Sequence, residues 1–240
     1  MNDKIKVLIV DGQNNHKWDI TTPVLKDALE SSAAFTVDVS TTPPKGAPTE
    51  AWAGWQPKFS DYAVIVSNYN GQPWPEAVRT SFDAYVKGGG GFVSYHAADN
   101  AFANWADYNE MIGLGGWGGR NAKSGPYLRL RDGEWKKTEA PGPCGGHGAR
   151  EEFLVETFAP EHPIMKGLLA KWMHTQDELY HSLRGPAKEL SVLGSGLSDK
   201  TNEQEPLLMA IKFGEGRVFH TTLGHHVEAL NGLGFQVTFS

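Results

Sequence analysis

The stretch "GGGGFVSYHAADNAFANW", residues 88–105, contains four glycines, a short apolar run and a histidine at the end of that run. A glycine turn followed by apolar and aromatic residues is typical of a buried strand in an α/β protein. Open parallel sheets bind ligands beyond the carboxyl ends of such strands. The stretch therefore predicts a strand that delivers His96 to a functional site, with Asp99 and Asn100 close behind. A half-buried histidine held by a backbone carbonyl is the alternative.

Apolar runs on the N-terminal side of this stretch alternate with helical patterns. The predicted strands are "KIKVLIV" (4–10), "FTVDVS" (35–40) and "YAVIVS" (62–67). Apolar residues from Ile20 to Leu29 recur at helical spacing, and "PEAVRTSFDAYVKGG" has proline near its start and glycine past its end, as helices commonly do. This order predicts an α/β fold: a flavodoxin-like, doubly wound, mostly parallel sheet with helices on both faces.

The second half of the chain is less regular. "YLRLRD" and "EEFLVETF" alternate as antiparallel strands do, and the intervening segment with "EAPGPCGGHG" is typical of a loop. Farther on, "PLLMAIKFGEGRVFHTT" predicts a hairpin that turns at Gly214-Glu215-Gly216. We expect a single domain over residues 1–240, with an irregular antiparallel insertion at about residues 113–187.

Composition and charge narrow the class of protein. The net charge is −6, which argues against a nucleic-acid partner. No apolar run of about 18 residues occurs, so the sequence predicts no membrane span. The start of the chain lacks the pattern of a signal peptide, which predicts a cytoplasmic protein, or a periplasmic or secreted one if a signal peptide was removed. The apolar end, "GFQVTFS", suggests that ordered sequence continues beyond it.

The single cysteine, Cys144, excludes an internal disulfide and a multi-cysteine zinc site. It lies among glycines in "PGPCGGHG", with only His147 nearby in sequence. A nucleophilic cysteine needs an orienting base and usually a helix N-terminus or a turn at a strand end. We therefore interpret Cys144 as an incidental thiol.

The loop after the first predicted strand, "DGQNNHKW", offers Asn15 and His16 as site residues. It lacks the G-x-G-x-x-G spacing of dinucleotide-binding loops, so no nucleotide cofactor is expected. Its asparagines and glycine are equally explained by an ordinary turn.

Carboxylates and histidines also cluster in "MHTQDELYHS", which contains Asp177, Glu178 and His181. Adjacent carboxylates beside histidines suit a metal shell or an acid–base pair. The spacing matches no fixed metal motif, and a solvated loop explains the segment as well.

The last histidine-rich segment is "HTTLGHH", which follows a predicted strand. His225 lies beyond the strand in a glycine turn, so we expect it to belong to the site. His220 alternates within the strand, so we expect it to pack in the interior. His147 and His162 lie in predicted loops and are expected at the surface.

Taken together, these segments resemble the ThuA-like, trehalose-utilisation family, which shares the class I glutamine amidotransferase-like fold. The resemblance spans nearly the whole chain and rests on "NNHKW", "GGGGFVSYHAADNAFANWADYNEMIGLGGWGGR", "HPIMKGL", "DELYH" and "GEGRVFHTTLGHH". It implies a flavodoxin-like sheet and a role in the metabolism of trehalose or related disaccharides. His16, His96, Glu178 and His225 fall on the family motifs, which implies that they form the pocket.

The resemblance also excludes one activity. In the true amidotransferases the turn after this strand carries the catalytic cysteine, whereas "SYHAA" places His96 there. Hydrolysis of glutamine through a thioester is therefore not expected, since Cys144 would be the sole substitute.

Family context and histidine density lead to a hypothesis of an enzyme that cleaves a disaccharide or a 3-keto glycoside. A ketone at C3 acidifies the hydrogen at C2, so a histidine base could enolise the sugar and expel the C1 substituent. We expect His96, His225 and Glu178 to be catalytic and to hold a divalent metal such as zinc as a Lewis acid. Substrate contacts are expected from Asn15, His16, Asp99, Trp105, Trp117, Arg120 and Asp177.

A non-catalytic sugar-binding or regulatory protein on a degenerate amidotransferase-like fold is the alternative. In both cases the expected partner is a small-molecule sugar, with no nucleic acid and no membrane, and the sequence leaves open whether the chain forms a homo-oligomer. Substitution of His96 discriminates between the two, because it abolishes turnover in an enzyme but only alters affinity in a binding protein.

Overall fold

The structure, a computed structural model, describes residues 4–239. Within that range the strands are β1 (Ile5–Asp11), β2 (Phe35–Thr41), β3 (Val64–Ser67), β4 (Gly91–Tyr95), β5 (Tyr127–Arg131), β6 (Glu134–Thr138), β7 (Gly146–Thr157), β8 (Lys171–His181), β9 (Leu190–Leu197), β10 (Gln204–Phe213) and β11 (Gly216–Thr221). The α-helices of the same range are α1 (Trp18–Ser31), α2 (Thr49–Gly54), α3 (Glu76–Lys87), α4 (Ala106–Ile112), α5 (Val227–Leu230) and α6 (Leu233–Phe239).

Nine of the described strands form one mixed sheet in the order β2-β1-β3-β4-β11-β10-β9-β7-β8. The first five are parallel neighbours, from β2 to β11. From β11 onward the pairing is antiparallel. The α/β prediction is thus confirmed, whereas a mostly parallel sheet was too strong an expectation. The flavodoxin-like, doubly wound description stays a prediction.

The segment predicted as an irregular insertion supplies part of this antiparallel half. β5 and β6 pair as a separate two-stranded sheet, but β7 and β8 join the main sheet beyond β9. The hairpin predicted at residues 214–216 is confirmed as the connection between β10 and β11. None of the helices in the described part of the chain is long and apolar enough to cross a membrane.

Successive residues of β1 face two different apolar layers. Val7 and Ile9 belong to a core that includes residues of α1 and α6, whereas Leu8 and Val10 belong to a core that includes residues of α3 and α4. These four side chains are at most 3% exposed, because helices cover both faces of the strand. Full burial of one such side chain contributes roughly 1.5–3 kcal/mol, so the apolar run fixes the strand in the centre of the fold.

The parallel strands end at one edge of the sheet, and the loops that follow them build the candidate site. These loops are residues 12–17 after β1, 68–75 after β3, 96–105 after β4 and 222–226 after β11. Parallel strands place their carboxyl ends at the same edge, as the sequence-based argument assumed.

Candidate metal centre

His96 begins a tight 3-10 turn directly after β4 and is 1% exposed. Its φ of 44° lies in the left-handed region, which is costly for a residue with a side chain and persists where the surroundings enforce it. Its Nδ1 lies 2.6 Å from the carbonyl oxygen of Thr222. A carbonyl can only accept, so Nδ1 carries the proton and Nε2 keeps its lone pair.

That lone pair faces β8, the last strand in the sheet order. The hydroxyl of Tyr180 lies 2.9 Å from Nε2 of His96, and Oε2 of Glu178 lies 4.0 Å from the same nitrogen. Glu178 and Tyr180 are two positions apart on a strand and therefore share one face. The segment is a largely buried strand, so the alternative of a solvated loop is wrong.

His16 and His225 complete the cluster from two other loops. Nδ1 of His16 lies 3.1 Å from Oδ1 of Asn14, and the backbone N–H of His16 donates to the same oxygen at 2.9 Å. The ring of His16 meets the rings of His96 and His225 edge to face, at centroid distances of 4.8 and 4.5 Å. Nδ1 of His225 lies 2.9 Å from Oε2 of Glu178, at an angle too poor for a hydrogen bond.

The four side chains form a set of potential metal ligands. One ligand atom from each of His16, His96, Glu178 and His225 lies within 4.8 Å of all the others. Nitrogen and carboxylate donors of this kind suit Zn²⁺ and related divalent ions.

The pKa shifts of these residues suit metal binding. Burial, aided by the positive charges that His96 and His225 would carry, lowers the pKa of His16 to about 3. Burial also lowers the pKa of His96. For Glu178 burial acts in the opposite direction, but the nearby imidazoles, His225 foremost, outweigh it and lower its pKa. Neutral imidazoles beside an ionised carboxylate are the forms that bind a metal.

The buried carboxylate of Asp177 connects the loop that carries His225 to the strand that carries Glu178. Its Oδ2 accepts the backbone N–H of Gly224 at 2.7 Å, and its Oδ1 accepts those of His225 at 3.0 Å and Glu178 at 2.8 Å. His174 Nε2 lies 2.9 Å from Oδ2. The carboxylate thereby fixes the loop that carries His225 against the strand that carries Glu178.

His16, Glu178 and His225 line a cleft of about 920 Å³, whereas His96, at 1% exposure, is buried and is not part of its lining. Side chains on its walls include Asn15, His16, Trp117, His147, Glu178, Tyr180 and His225. His147 is 41% exposed, as expected for a surface residue, but its Nδ1 is 3.6 Å from Oε1 of Glu178. Sequence reasoning missed both His147 and Tyr180 as residues of the site.

Two acidic residues expected to contact substrate lie behind the cleft instead. Asp99 and Asp177 are each 0% exposed and do not line it. Oδ2 of Asp99 is 3.5 Å from Nε2 of His220, which is buried as expected for a packing residue. Asp99 was expected near the site because it follows a strand, and Asp177 because it lies in a cluster of carboxylates and histidines, but neither signal showed that the side chain is buried.

Trp105 and Arg120 were also expected to contact substrate, and they too lie outside this cleft. Nε1 of Trp105 donates to the carboxylate of Asp83 at 3.0 and 3.1 Å. The buried guanidinium of Arg120 donates to backbone carbonyls, including those of Asn100 and Ala101. The guanidinium of Arg120 is therefore used inside the fold, whereas Trp105 lines a neighbouring cavity.

The environment of Cys144 agrees with an incidental thiol. Its Sγ donates to the carbonyl oxygen of Gly115 at 3.4 Å. Burial raises its pKa, which disfavours the thiolate that a nucleophile needs. The residue does not line the cleft.

Sheet and site together define an α/β protein whose parallel strands end at a cleft lined by histidines and a glutamate. The chain belongs to the ThuA family: the sequence model of that family, described as "Trehalose utilisation", matches residues 6–239. The resemblance drawn from the sequence is thereby confirmed, and membership supports a carbohydrate-related role.

Comparison with solved structures agrees with membership of this family. A ThuA-like protein from Parabacteroides merdae ATCC 43184 is 42% identical, with 99% of this chain and 88% of that chain covered and a TM-score of 0.94. A ThuA-like protein from Bacteroides uniformis ATCC 8492 is 21% identical, with coverages of 99% and 89% and a TM-score of 0.66. A β-galactosidase from Rahnella sp. R3 is 14% identical, with coverages of 99% and 30% and a TM-score of 0.52. The last two show a shared fold alone. The sequence matches none of the curated proteins with which it was compared.

Proposed function

We propose that this protein is a metal-assisted enzyme that cleaves a 3-keto glycoside, with a disaccharide of the trehalose type as the parent sugar. The observation that carries the proposal is the convergence of four ligand atoms within 4.8 Å of one another, three of them from residues that line an open cleft and one from the buried His96. Three imidazoles and one carboxylate at a strand-end edge are more than a binding protein needs for neutral sugar hydroxyls. Family membership supports the carbohydrate class of substrate.

The hydrogen bonds around the cluster fit a metal. Nδ1 of His96 is occupied by the Thr222 carbonyl and Nδ1 of His16 by the Asn14 side chain, so Nε2 is the remaining ligand atom of each ring, and in His96 that atom also accepts the hydroxyl of Tyr180. Metal-binding histidines commonly donate their second N–H to such a partner, which fixes the ring and its tautomer. A divalent ion held here would supply a Lewis acid for the C3 ketone.

Proton transfer falls to residues beside the cluster. Nδ1 of His147 lies 2.8 Å from the carbonyl of Gly148, which leaves Nε2 as a lone pair that can accept a proton. We propose that His147 takes the C2 proton, that the C2–H electron pair forms the C1–C2 double bond, and that the C1–oxygen bond breaks. The protonated imidazole then returns the proton to the departing oxygen, so the products are an unsaturated keto sugar and a free sugar.

The test is incubation of the purified protein with 3-keto-trehalose, with release of glucose as the readout. We expect release in the presence of Zn²⁺, its loss after chelation, and its return when the ion is restored. The variant His96→Asn is informative because asparagine tolerates the left-handed backbone, and we expect it to lose about 100-fold or more. His162→Ala is the matched control, since His162 does not line the cleft.

The same experiment separates the enzyme from a non-catalytic sugar-binding protein. Saturable binding of the sugar with no glucose release under any metal condition would contradict catalysis and favour a binding or regulatory role. Glucose release that is insensitive to chelation and to His96→Asn would contradict the metal-assisted site.

A further inference from the structure

We propose that a second, smaller cavity beside the cleft is a preformed subsite for the departing sugar ring of a disaccharide substrate. This inference rests on the proposed function and extends it by naming where the second ring binds. The cavity measures about 340 Å³, within the range of roughly 300–1,000 Å³ that is typical of small-molecule sites.

The two cavities adjoin. Asn70, Asn100 and Gly118 line both of them. Asn70 also accepts the backbone N–H of Asn15 at 3.1 Å, which ties the shared wall to the loop that carries His16. A ligand with two linked rings can therefore place one ring beside the histidine cluster and the other in the smaller cavity.

The lining of the smaller cavity suits a neutral polyol. The amide of Asn104 and the guanidinium of Arg79 provide polar groups, and the largely buried Trp105 contributes an aromatic side chain to the wall. The guanidinium of Arg79 lies 5.8 Å from the ring centroid of Trp105, and it makes no hydrogen bond within the described residues. Its donors thus remain available for sugar hydroxyls.

Charge balance favours a neutral ligand over an anionic one. Burial raises the pKa of Asp83 to about 6, so its carboxyl is mostly ionised at pH 7, where it accepts the Nε1–H of Trp105 and interacts with the charge of Arg79. The positive charge of Arg79 is therefore offset on the protein side. A phosphate or carboxylate would find little net attraction, whereas hydroxyl groups need none.

The wall of the smaller cavity is held rigidly before any ligand binds. Nδ2 of Asn109 donates to the carbonyls of Phe102, Ala103 and Trp105 at 3.2, 3.1 and 2.7 Å. Arg120 in turn donates to Oδ1 of Asn109 at 3.1 and 2.9 Å. Arg120, which was expected to touch the sugar, is on this account a positioning residue. A preorganised wall lowers the ordering cost of binding.

The experiment compares two substrates, 3-keto-trehalose and methyl 3-keto-α-glucoside, which differ only in the second ring. The quantity compared is kcat/KM for 3-keto-trehalose divided by kcat/KM for methyl 3-keto-α-glucoside. We expect Ala103→Trp, which fills the cavity, and Arg79→Gln each to lower this ratio by about tenfold, because binding of the second ring assists cleavage of the disaccharide alone. Arg217→Gln is the matched control, since Arg217 is exposed and lines neither cavity. An unchanged ratio in both variants would overturn the subsite.

If the wild-type protein cleaves neither substrate, the proposed function fails but the subsite is still tested. Binding of trehalose and of glucose to the metal-loaded protein is then measured by calorimetry. We expect trehalose to bind more tightly than glucose and Ala103→Trp to remove that difference. Equal affinity for the two sugars, or no binding of either, would contradict a subsite for a second ring.

Discussion

Replacement of Asp177 by asparagine tests how the histidine cluster is held. The carboxylate accepts the backbone N–H groups of Gly224, His225 and Glu178 and lies 2.9 Å from Nε2 of His174. Its side chain is 0% exposed, so water cannot replace a lost partner. Burial alone would raise its pKa, but His174 and the neighbouring donors outweigh burial and lower it.

The expected loss of stability follows from the contacts of the two carboxylate oxygens of Asp177. Oδ1 and Oδ2 each receive two of the four contacts, so an asparagine in either orientation turns an NH₂ group towards two donors. A hydrogen bond to a charged acceptor contributes about 1.5–3 kcal/mol, and breaking a buried ionic network by changing one partner typically costs about 3–5 kcal/mol. We therefore expect Asp177→Asn to lower the free energy of unfolding by about 3–5 kcal/mol.

The assay is urea unfolding at pH 7, followed by tryptophan fluorescence on chelator-treated protein so that metal binding does not contribute. Asp199→Asn is the matched control: the side chain is 73% exposed and forms a surface ion pair with Lys200, so a change within about 0.5 kcal/mol is expected. A loss of less than about 1 kcal/mol for Asp177→Asn would refute the reasoning about the buried network.

Three further predictions concern charge and metal binding. Burial raises the pKa of Asp83 to about 6, so protonation of this carboxyl stabilises the fold fully below about pH 4, and that stabilisation is lost as the pH rises through 6. Asparagine resembles the protonated carboxyl, so Asp83→Asn should raise the free energy of unfolding by about 1–2 kcal/mol at pH 7 and change it little at pH 4. Urea titrations at the two pH values measure both effects. Because the pKa of His16 is about 3 and that of His96 is also lowered, the Kd for Zn²⁺, measured by competition with a chromophoric chelator, should rise far less from pH 7 to 5.5 than the several-hundredfold rise (roughly 10²–10³) expected of three ordinary imidazoles. Tyr180→Phe removes the hydroxyl that competes for Nε2 of His96, so the same titration should show a Kd for Zn²⁺ about three- to tenfold lower, and a weaker affinity would contradict this role.

The parallel half of the fold was predictable because its signals are local. β1, β3 and β4 are apolar runs bounded by turns, and helices that cover both faces require such runs. The antiparallel extension was not predictable in the same way. β8 is polar along much of its length, and its position beyond β7 depends on partners distant in sequence.

The candidate site was predicted in part for the same reason. His16, His96 and His225 follow parallel strands, so one rule about carboxyl ends brings them together. Glu178 was a candidate from its cluster of carboxylates and histidines and from the family motif, and the spacing of Glu178 and Tyr180 by two positions was a signal that a strand would place both on one face. Nothing near His147 in the sequence indicated its approach to Glu178.

The sequence could not show which strand-end side chains turn inward. Asp177 and Arg120 are held by hydrogen bonds to distant parts of the chain, and the buried carboxylate of Asp99 approaches His220 at 3.5 Å. Burial of a charged group depends on those distant partners, and no local pattern reports them. Trp105 differs, since it lines the adjoining cavity rather than the cleft.

The existence of the metal centre is tested most directly by counting ions. Chelator-treated protein is equilibrated with Zn²⁺, desalted, and analysed for zinc and protein by mass spectrometry, alongside Glu178→Gln and the control His162→Ala. We expect about one zinc per chain in the wild type and the control, and far less in Glu178→Gln. A wild-type protein that retains no zinc, or a Glu178→Gln protein that retains as much as the wild type, would contradict a metal held by the three histidines and the glutamate.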